Sequence, residues 1–474
     1  MLEYGYLAPA MFAGLIAFML LGFPVAFSLA ALGLFFGFIA IEIGYFGFAF
    51  LQALPARIFG IMSNDLLLAI PFFTFMGVIL ERSGLAEDLL DGVGQLFGPV
   101  PGGLAYAVIF VGAILGAITG TVAASVIAMG MISIPIMLKY GYDMKIGTGV
   151  IAASGTITQV IPPSLVLIVL AFQLGVPVGE MYLGAIGPSL AQVLIFTLFI
   201  LGVSIFAPHK VPALPPEART LRGAALWAKI AWGMIPSLVL IFLVLGTIFL
   251  GLATPTEAGA MGAVGAMALA VLHGRFSGKL LWQAMDGTMR ITAMVIFILV
   301  GATVFSLVFQ GVNGGRWIEH LLEGIPGGQI GFLIFVNIFI FFLAFFLDFF
   351  EIVFIVVPLL LPTAVALDIN LIWFGLLLCV NMQTAFMHPP FGFALFYLRG
   401  IAPPEVKSRD IYLGSIPWIG LQLILVAILI FWPELVTHWL GSAAVLDETA
   451  VGEALDAIPM PELDLPPLDL GIDP

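Results

Sequence analysis

Charge is scarce in this chain of 474 residues. Charged residues make up 9% of it and hydrophobic residues 62%, with a mean hydropathy of +1.19; a soluble domain carries about 25% charged residues. That balance excludes a soluble globular protein and points to a multi-pass protein of the lipid bilayer. Cysteine is nearly missing. Cys379 stands alone inside an apolar run, which excludes an intrachain disulfide framework and a cysteine metal cluster. No basic patch rises above a few residues, so nucleic-acid binding has no support. H-E-x-x-H, C-x-x-C, nucleophile-elbow and Walker A patterns are all missing, leaving an enzyme reading without a basis, ATP hydrolysis included, and no cofactor to expect. The start lacks a basic n-region and its apolar stretch continues to about Ile43, so a cleaved signal peptide is not expected. Lysine and arginine are also missing from 433–474, which holds nine carboxylates. Much of the net charge of -13 therefore belongs to an acidic, proline-rich tail, expected to be disordered, solvated and periplasmic.

What is present is apolar sequence in lengths of about 20 residues, the length that spans a bilayer as helix. Crossings are expected near 7–22, 24–43, 66–82, 146–175, 181–206, 230–251, 255–273, 290–310, 370–399 and 411–432. Two further apolar blocks, about 102–138 and 328–366, are too long for one crossing and are interrupted midway, at Thr119-Gly120-Thr121 and at Asp348. They read as re-entrant hairpins, entering and leaving on one side. Short amphipathic pieces near 45–63, 85–97 and 314–323 suit the membrane interface. The positive-inside rule fits this arrangement. Lys139, Lys145, the basic residues of the central loop 207–229, Arg275, Lys279, Arg290, Arg399, Lys407 and Arg409 all fall on the cytoplasmic side if both blocks are hairpins and ten segments cross. Arg57 and Arg316 are exceptions.

An internal repeat organises the chain. Pro135 is followed 27 residues later by Pro162-Pro163-Ser164, and Pro362 is followed 27 residues later by Pro389-Pro390-Phe391; the offset is 227 both times. Five crossings separate the two hairpins, an odd number, so the second copy is inverted. The fold class expected is all-α and polytopic. It comprises two inverted-topology repeats, 1–206 and 230–432, each with about five transmembrane helices, one re-entrant hairpin and one broken helix (about 146–175 and 370–399). Secondary transporters use such interrupted helices to place a site near the midplane.

The polar residues cluster at the interruptions. Thr119, Gly120, Thr121 and Ser125 put small and hydroxylated residues at the first hairpin tip, facing Ser154-Gly155-Thr156 and Gln159 ahead of the Pro162-Pro163 break. Backbone carbonyls freed there suit a sodium ion; close packing of small residues between helices is the other reading. In the second copy Asp348 and Glu351 lie at the tip, and Asn381, Gln383 and Thr384 precede Pro389-Pro390. Asp348 serves as ion ligand, hairpin lock or N-terminal cap. Glu351 is protonated, paired, or turned to an aqueous cavity. His388 takes the place of Ile161 and either makes transport pH-sensitive or simply packs. Thr254-Pro255-Thr256-Glu257 reads as a capping box. The candidate substrate cavity comprises Ser125, Gln159, Pro162, Pro163, Ser164, Glu351, His388, Pro389 and Pro390.

At these residues the chain resembles the large membrane subunit (M subunit, DctM-like) of TRAP transporters, the tripartite ATP-independent periplasmic uptake systems, over about residues 1–435. The resemblance rests on Ile70-Pro71-Phe72-Phe73, the G-x-x-T-G-T tip from Gly116 to Thr121, Gln159-x-Ile161-Pro162-Pro163-Ser164, Thr254-Pro255-Thr256-Glu257-Ala258, Asp348-Phe349-Phe350-Glu351, and Asn381 followed by Pro389-Pro390-Phe391-Gly392. It implies a scaffold with an elevator-type transport domain, and two sodium sites, one at Thr119, Gly120, Thr121, Ser154, Gly155 and Thr156, the other at Asp348, Asn381, Gln383 and Thr384. It also implies a small four-helix membrane subunit (Q type) and a periplasmic substrate-binding protein (P type) as partners, in the bacterial inner membrane. The Asp348-to-Glu351 and Phe391-to-Gly400 stretches resemble the subgroup associated with mannitol, chloroaromatic or 2-oxo acid substrates. Thr158, Ala385 and His388 depart from the family pattern, which has Gly, Gly or Ser, and Thr there. The expected activity is sodium-coupled uptake of a small organic anion. The alternatives are a carboxylate or oxyanion permease needing no binding protein, and a passive channel.

Overall fold

Glycine and proline mark where an otherwise continuous run of apolar helix must stop, and a computed structural model places the breaks there. It describes residues 5–323, 325–389 and 392–440, without the side chains of Leu20, Leu85, Ala86, Glu87, Thr119, Leu322 and Glu323. Of the stretch 433–474 expected as a disordered tail, Glu434–Thr437 instead form a helical turn with Val436 buried; residues 441–474, Pro390 and Phe391 lie outside the described residues.

The first half runs through α1 (Leu7–Leu20), α2 (Val25–Glu42), a 3-10 turn (Phe48–Ala53), α3 (Leu54–Met62), α4 (Asp65–Arg82), α5 (Leu85–Phe97), α6 (Gly103–Thr119), α7 (Val122–Lys139), α8 (Met144–Thr156), a 3-10 turn (Ile157–Gln159), α9 (Leu165–Leu174) and α10 (Val178–Phe206). The second runs through α11 (Gly223–Phe249), α12 (Pro255–Leu272), α13 (Gly278–Gly311), α14 (Gly314–Glu323), α15 (Gly328–Leu343), α16 (Phe349–Glu351), a π turn (Ile352–Val356), α17 (Val357–Ala366), α18 (Leu371–Met382), a 3-10 turn (Gln383–Phe386), α19 (Phe393–Ile401) and α20 (Ser408–Phe431). The short α21 (Glu434–Thr437) follows. No strand occurs among the described residues.

The repeat seen in a few prolines holds element by element. Adding 227 to α7 gives 349–366, the span of α16 through α17; adding it to α8 gives 371–383, and to α5 gives 312–324, next to α14. Caps repeat too: Asp143 accepts from the Lys145 amide at 3.0 Å, and its counterpart Asn370 accepts from Ile372 and Trp373 at 3.0 Å. The copies differ at the helix ahead of the hairpin and at the π turn that interrupts the counterpart of α7. α13 runs unbroken for 34 residues where its counterpart is split into α3 and α4, bent 48° apart. Asn64, capping the Leu66 amide at 2.9 Å, fixes that split.

Hydrogen bonds show that both interrupted blocks are hairpins closed at their mouths. The start of α6 and the end of α7 are held by one loop, with the Gly102 amide donating to Val211 O (2.7 Å) and the Asp143 amide to Lys210 O (2.9 Å). In the second copy Gln329, at the start of α15, donates to Leu367 O just past α17 at 2.7 Å. Among the described residues eight helices are long and apolar enough to cross a bilayer, or nine counting α3 with α4, and α7 and 349–366 are two of them. Mouth closure makes each of those two the return arm of a helical hairpin. The broken helices α8–α9 and α18–α19 are each built of two shorter pieces joined at the break.

Three departures from expectation have local causes. α11 begins at Gly223, inside the stretch 207–229 expected as loop, because Leu226 is buried and Lys229 pairs with Asp91 of α5. α13 begins at Gly278 rather than near 290, capped by Ser277, whose hydroxyl accepts from Leu280 N at 3.1 Å. The π turn ahead of Pro358 was not expected. Pro358 has no amide to return to Phe354 and its ring crowds that carbonyl; a widened turn relieves both.

The amphipathic helix α5 is pinned to the segments around it. Arg275 reaches Asp88 and Ser83 O, both at 2.8 Å, and Gln95 accepts from the Leu221 amide at 2.8 Å. Burial raises the Asp91 pKa, but hydrogen bonds from Lys229 and Gln95 and the Lys229 charge outweigh it and hold that carboxyl below its ordinary range. Deeper in, α8 crosses α20 with backbones nearly touching. A Cβ on Gly149 would lie 2.3 Å from Gly414 O, and one on Gly414 would lie 2.3 Å from Lys145 O.

Candidate functional site

Each copy brings a hairpin tip to a proline break. At the first tip α6 ends on Gly120, whose φ of 63° is left-handed and suits glycine, and Thr121 turns extended to start α7. α6 lies along the end of α8: a Cβ on Gly112 would meet Ser154 at 2.7 Å, and one on Gly116 the Thr158 backbone at 3.0 Å. This carries Gly120 and Thr121 to Pro163, beside Thr74 of α4, around a crevice of about 10 Å³, room for about one water. Ser125, Ser154, Gly155 and Thr156 are buried and do not line it. The side chain of Thr119 lies outside the described residues.

The break itself is partly satisfied by the protein. The peptide bond between Pro162 and Pro163 is cis. Of the carbonyls freed ahead of it, Gln159 O accepts from the Ser164 hydroxyl at 2.8 Å, and Val160 O accepts from the Ser189 hydroxyl at 3.1 Å. Ser164 also caps α9. The Gln159 side-chain Oε1 is buried and has no partner.

At the second tip Asp348 and Glu351 form a capping box. The Glu351 amide donates to Asp348 Oδ1 and the Asp348 amide to Glu351 Oε2, both at 2.9 Å. Of the three roles open to Asp348, capping is thus present in the geometry. The ion pairs described, Lys229–Asp91, Arg275–Asp88 and Arg290–Asp286, lie elsewhere, so these two neighbouring carboxyls have no basic partner among them. Paired charges in that position need a proton or a cation. Asp348 also lines a cavity of about 370 Å³ with Ala385, Phe386, Phe393, Met19 near the end of α1 and Gly22 just past it.

The residues expected with Asp348 are distributed around it. Asn381 donates to both the backbone and side-chain oxygens of Asn337 on α15, at 2.7 and 3.0 Å. Thr384 returns its hydroxyl to Asn381 O at 2.7 Å, much as Thr156 does to Ala153 O at 2.8 Å. Gln383 turns away from Asn337 to meet Gln192 and Gln422. His388 is buried and lies flat on Phe345, ring centroids 4.0 Å apart, and edge-on to Phe341 at 4.7 Å. It joins the second break to the hairpin as an aromatic ring, with Ala344 nearby and no well-formed hydrogen bond on either nitrogen. Pro389 stays beside it; Pro390 lies outside the described residues. Thr254 and Glu257 cap α12 reciprocally, at 2.8 and 3.3 Å, and Thr256 ties that start to Asp65 O at 2.7 Å.

Two buried oxygens stand out by position. Ser154 Oγ and Asn381 Oδ1 have no hydrogen-bond partner, and 227 residues separate them, so each occupies the same place in its copy. Sequence reasoning missed Asn337, Thr74, Gln192 and Gln422. Their signal was the one used for the others, a polar side chain inside an apolar helix, but none has a polar counterpart at the repeat offset: Asn337 answers to Phe110, Thr74 to Gly301, Gln192 to Ile419 and Gln422 to Ile195.

Two inverted repeats, each presenting a hairpin tip to a broken helix, define a polytopic membrane permease. The profile of the family described as "Tripartite ATP-independent periplasmic transporter, DctM component" matches residues 12–435, and the chain belongs to that family. It is 29% identical to the C4-dicarboxylate TRAP transporter large permease protein DctM of Vibrio cholerae, over 91% of this chain and 96% of that one. The isethionate TRAP transporter permease protein DctMQ of Oleidesulfovibrio alaskensis is 27% identical over 91% of this chain and 66% of that longer one. In fold it resembles the crystal structure of the Alcanivorax borkumensis YdaH transporter, described as having an unusual topology, with a TM-score of 0.58, 16% identity and coverage of 80% of this chain and 87% of that one.

Proposed function

We propose that the protein is the transport subunit of a sodium-coupled, binding-protein-dependent uptake system for a small organic anion, a carboxylate or 2-oxo acid, in the bacterial inner membrane. The carrying observation is the pair Ser154 Oγ and Asn381 Oδ1, buried, unpartnered and related by the repeat. An unpartnered buried acceptor costs about 1–3 kcal/mol, and a cation at each position removes that cost. The Asp348–Glu351 pair supports a cation at the second tip for a different reason: both carboxyls accept backbone hydrogen bonds, but two neighbouring negative charges have no basic partner among the ion pairs described. Related permeases bear names for C4-dicarboxylate and isethionate, both organic anions, and a small four-helix membrane subunit belongs to the system proposed. A periplasmic binding protein completes the system, and movement of the hairpin-bearing domain against a scaffold carries the substrate across.

Proteoliposomes holding both membrane subunits test this. Uptake of the binding protein's own ligand is expected only with sodium outside and the loaded binding protein present. Ser154→Ala is expected to raise the sodium requirement without lowering thermal stability, since the hydroxyl it removes bonds to nothing within the protein. Sodium-independent uptake by this subunit alone would sink the reading.

A further inference from the structure

Four buried side chains meet where the two copies touch. Gln422 of α20 donates through Nε2 to Thr156 Oγ1 at 3.0 Å and to Gln383 Oε1 at 3.3 Å. Gln192 of α10 and Gln383 exchange amide hydrogen bonds at 2.6 and 3.2 Å. Thr156 and Gln383 are 227 residues apart, so Gln422 bridges the same position of both copies. Each of those positions lies just past an unpartnered oxygen, two residues after Ser154 in the first copy and two after Asn381 in the second. α10 and α20 are themselves repeat-related, and each sends a glutamine to the broken helix of the other copy.

We propose that Gln422 is a positioning residue that couples the two hairpin-and-break units, so that a cation held at one raises the affinity of the other. This rests on the sodium reading above. The hydrogen-bond inventory supplies the reason. Ordering the end of α8 around an ion fixes Thr156, Thr156 fixes the Gln422 amide, and that amide is shared with Gln383 at the matching end of α18. Gln422 Oε1 has no partner, so the side chain is held by its bridging amide rather than by surroundings of its own. Its removal leaves each end locally bonded, because Thr156 keeps Ala153 O and Gln383 keeps Gln192. What is lost is the link.

Equilibrium binding of radioactive sodium to the full-length chain in nanodiscs tests the coupling without substrate or partners. The wild type is expected to bind cooperatively, with a Hill coefficient above 1. Gln422→Leu is expected to bind the same number of ions with a Hill coefficient of 1 and a half-saturation concentration about fivefold higher or more, the low end of ordinary coupling between sites. Gln422→Met supplies the same measurement if the leucine variant does not fold. Sodium bound by the wild type without cooperativity, or with cooperativity that survives in the variant, overturns the coupling and leaves the sodium reading intact. One ion fewer in the variant also overturns it, making Gln422 a ligand. No sodium bound by the wild type overturns both.

Discussion

Asp348 can cap a helix and can hold a cation, and one pair of substitutions separates the two. Asparagine caps as well as aspartate does, whereas alanine loses about 0.5–2 kcal/mol. Asp348→Ala is therefore expected to lower thermal stability and Asp348→Asn to preserve it. If the carboxylate also binds sodium, Asp348→Asn abolishes sodium-driven uptake in a protein that melts normally; full uptake would leave capping as its whole role. His388 makes a related point at this scale. Its imidazole was open to proton coupling or packing, and the structure places it between Phe341 and Phe345, where the first copy carries Ile114, Ile118 and Ile161. Side-chain identity was readable in advance; the neighbours that give it a role were not.

Among the elements, the crossing of α8 with α20 holds the first broken helix in place, and it depends on two glycines. Gly149→Val puts a branched side chain where a Cβ alone already lies 2.3 Å from Gly414 O and 2.6 Å from the Trp418 indole nitrogen. Overpacking of this kind costs about 1–3 kcal/mol, so the variant is expected to melt measurably lower, whereas Gly149→Ala is expected to show a smaller loss. An unchanged melting temperature for the valine variant would mean the helices do not cross so closely. Element positions were largely legible beforehand. The amphipathic pieces expected at 85–97 and 314–323 coincide with α5 and α14, and the hairpin interruptions fall at Gly120 and Asp348. Boundaries failed where a tertiary partner extends a helix, as Asp91 does for α11 through Lys229.

For the whole molecule, the two inverted copies repeat the unpartnered buried oxygen on which the sodium proposal rests, Ser154 Oγ in one and Asn381 Oδ1 in the other. Two sodium ions moving with a monovalent anion carry one net charge, and one charge through 100 mV is worth about 2.3 kcal/mol, roughly 50-fold in accumulation. An inside-negative potential imposed on proteoliposomes is expected to raise uptake of a monovalent substrate accordingly. A response opposite in sign would exclude two-ion coupling. The amide cluster of Gln192, Gln383 and Gln422 belongs to this scale too, since it exists only where the copies meet.

The sequence by itself determined the membrane setting, the hairpins and the repeat, because each rests on composition or spacing along the chain: apolar length, polar interruption and an offset of 227. It also carried the family. Only the tertiary structure decided how the polar residues are shared. Asn381 went to Asn337, and Gln383 to Gln192 and Gln422, although the resemblance grouped both with Asp348 and Thr384. The physical reason is that a buried polar group bonds to whatever helix faces it. In this chain the facing residue lies 44 positions away from Asn337 to Asn381 and 266 from Thr156 to Gln422, and neither Asn337 nor Gln422 has a polar counterpart in the other copy to reveal it.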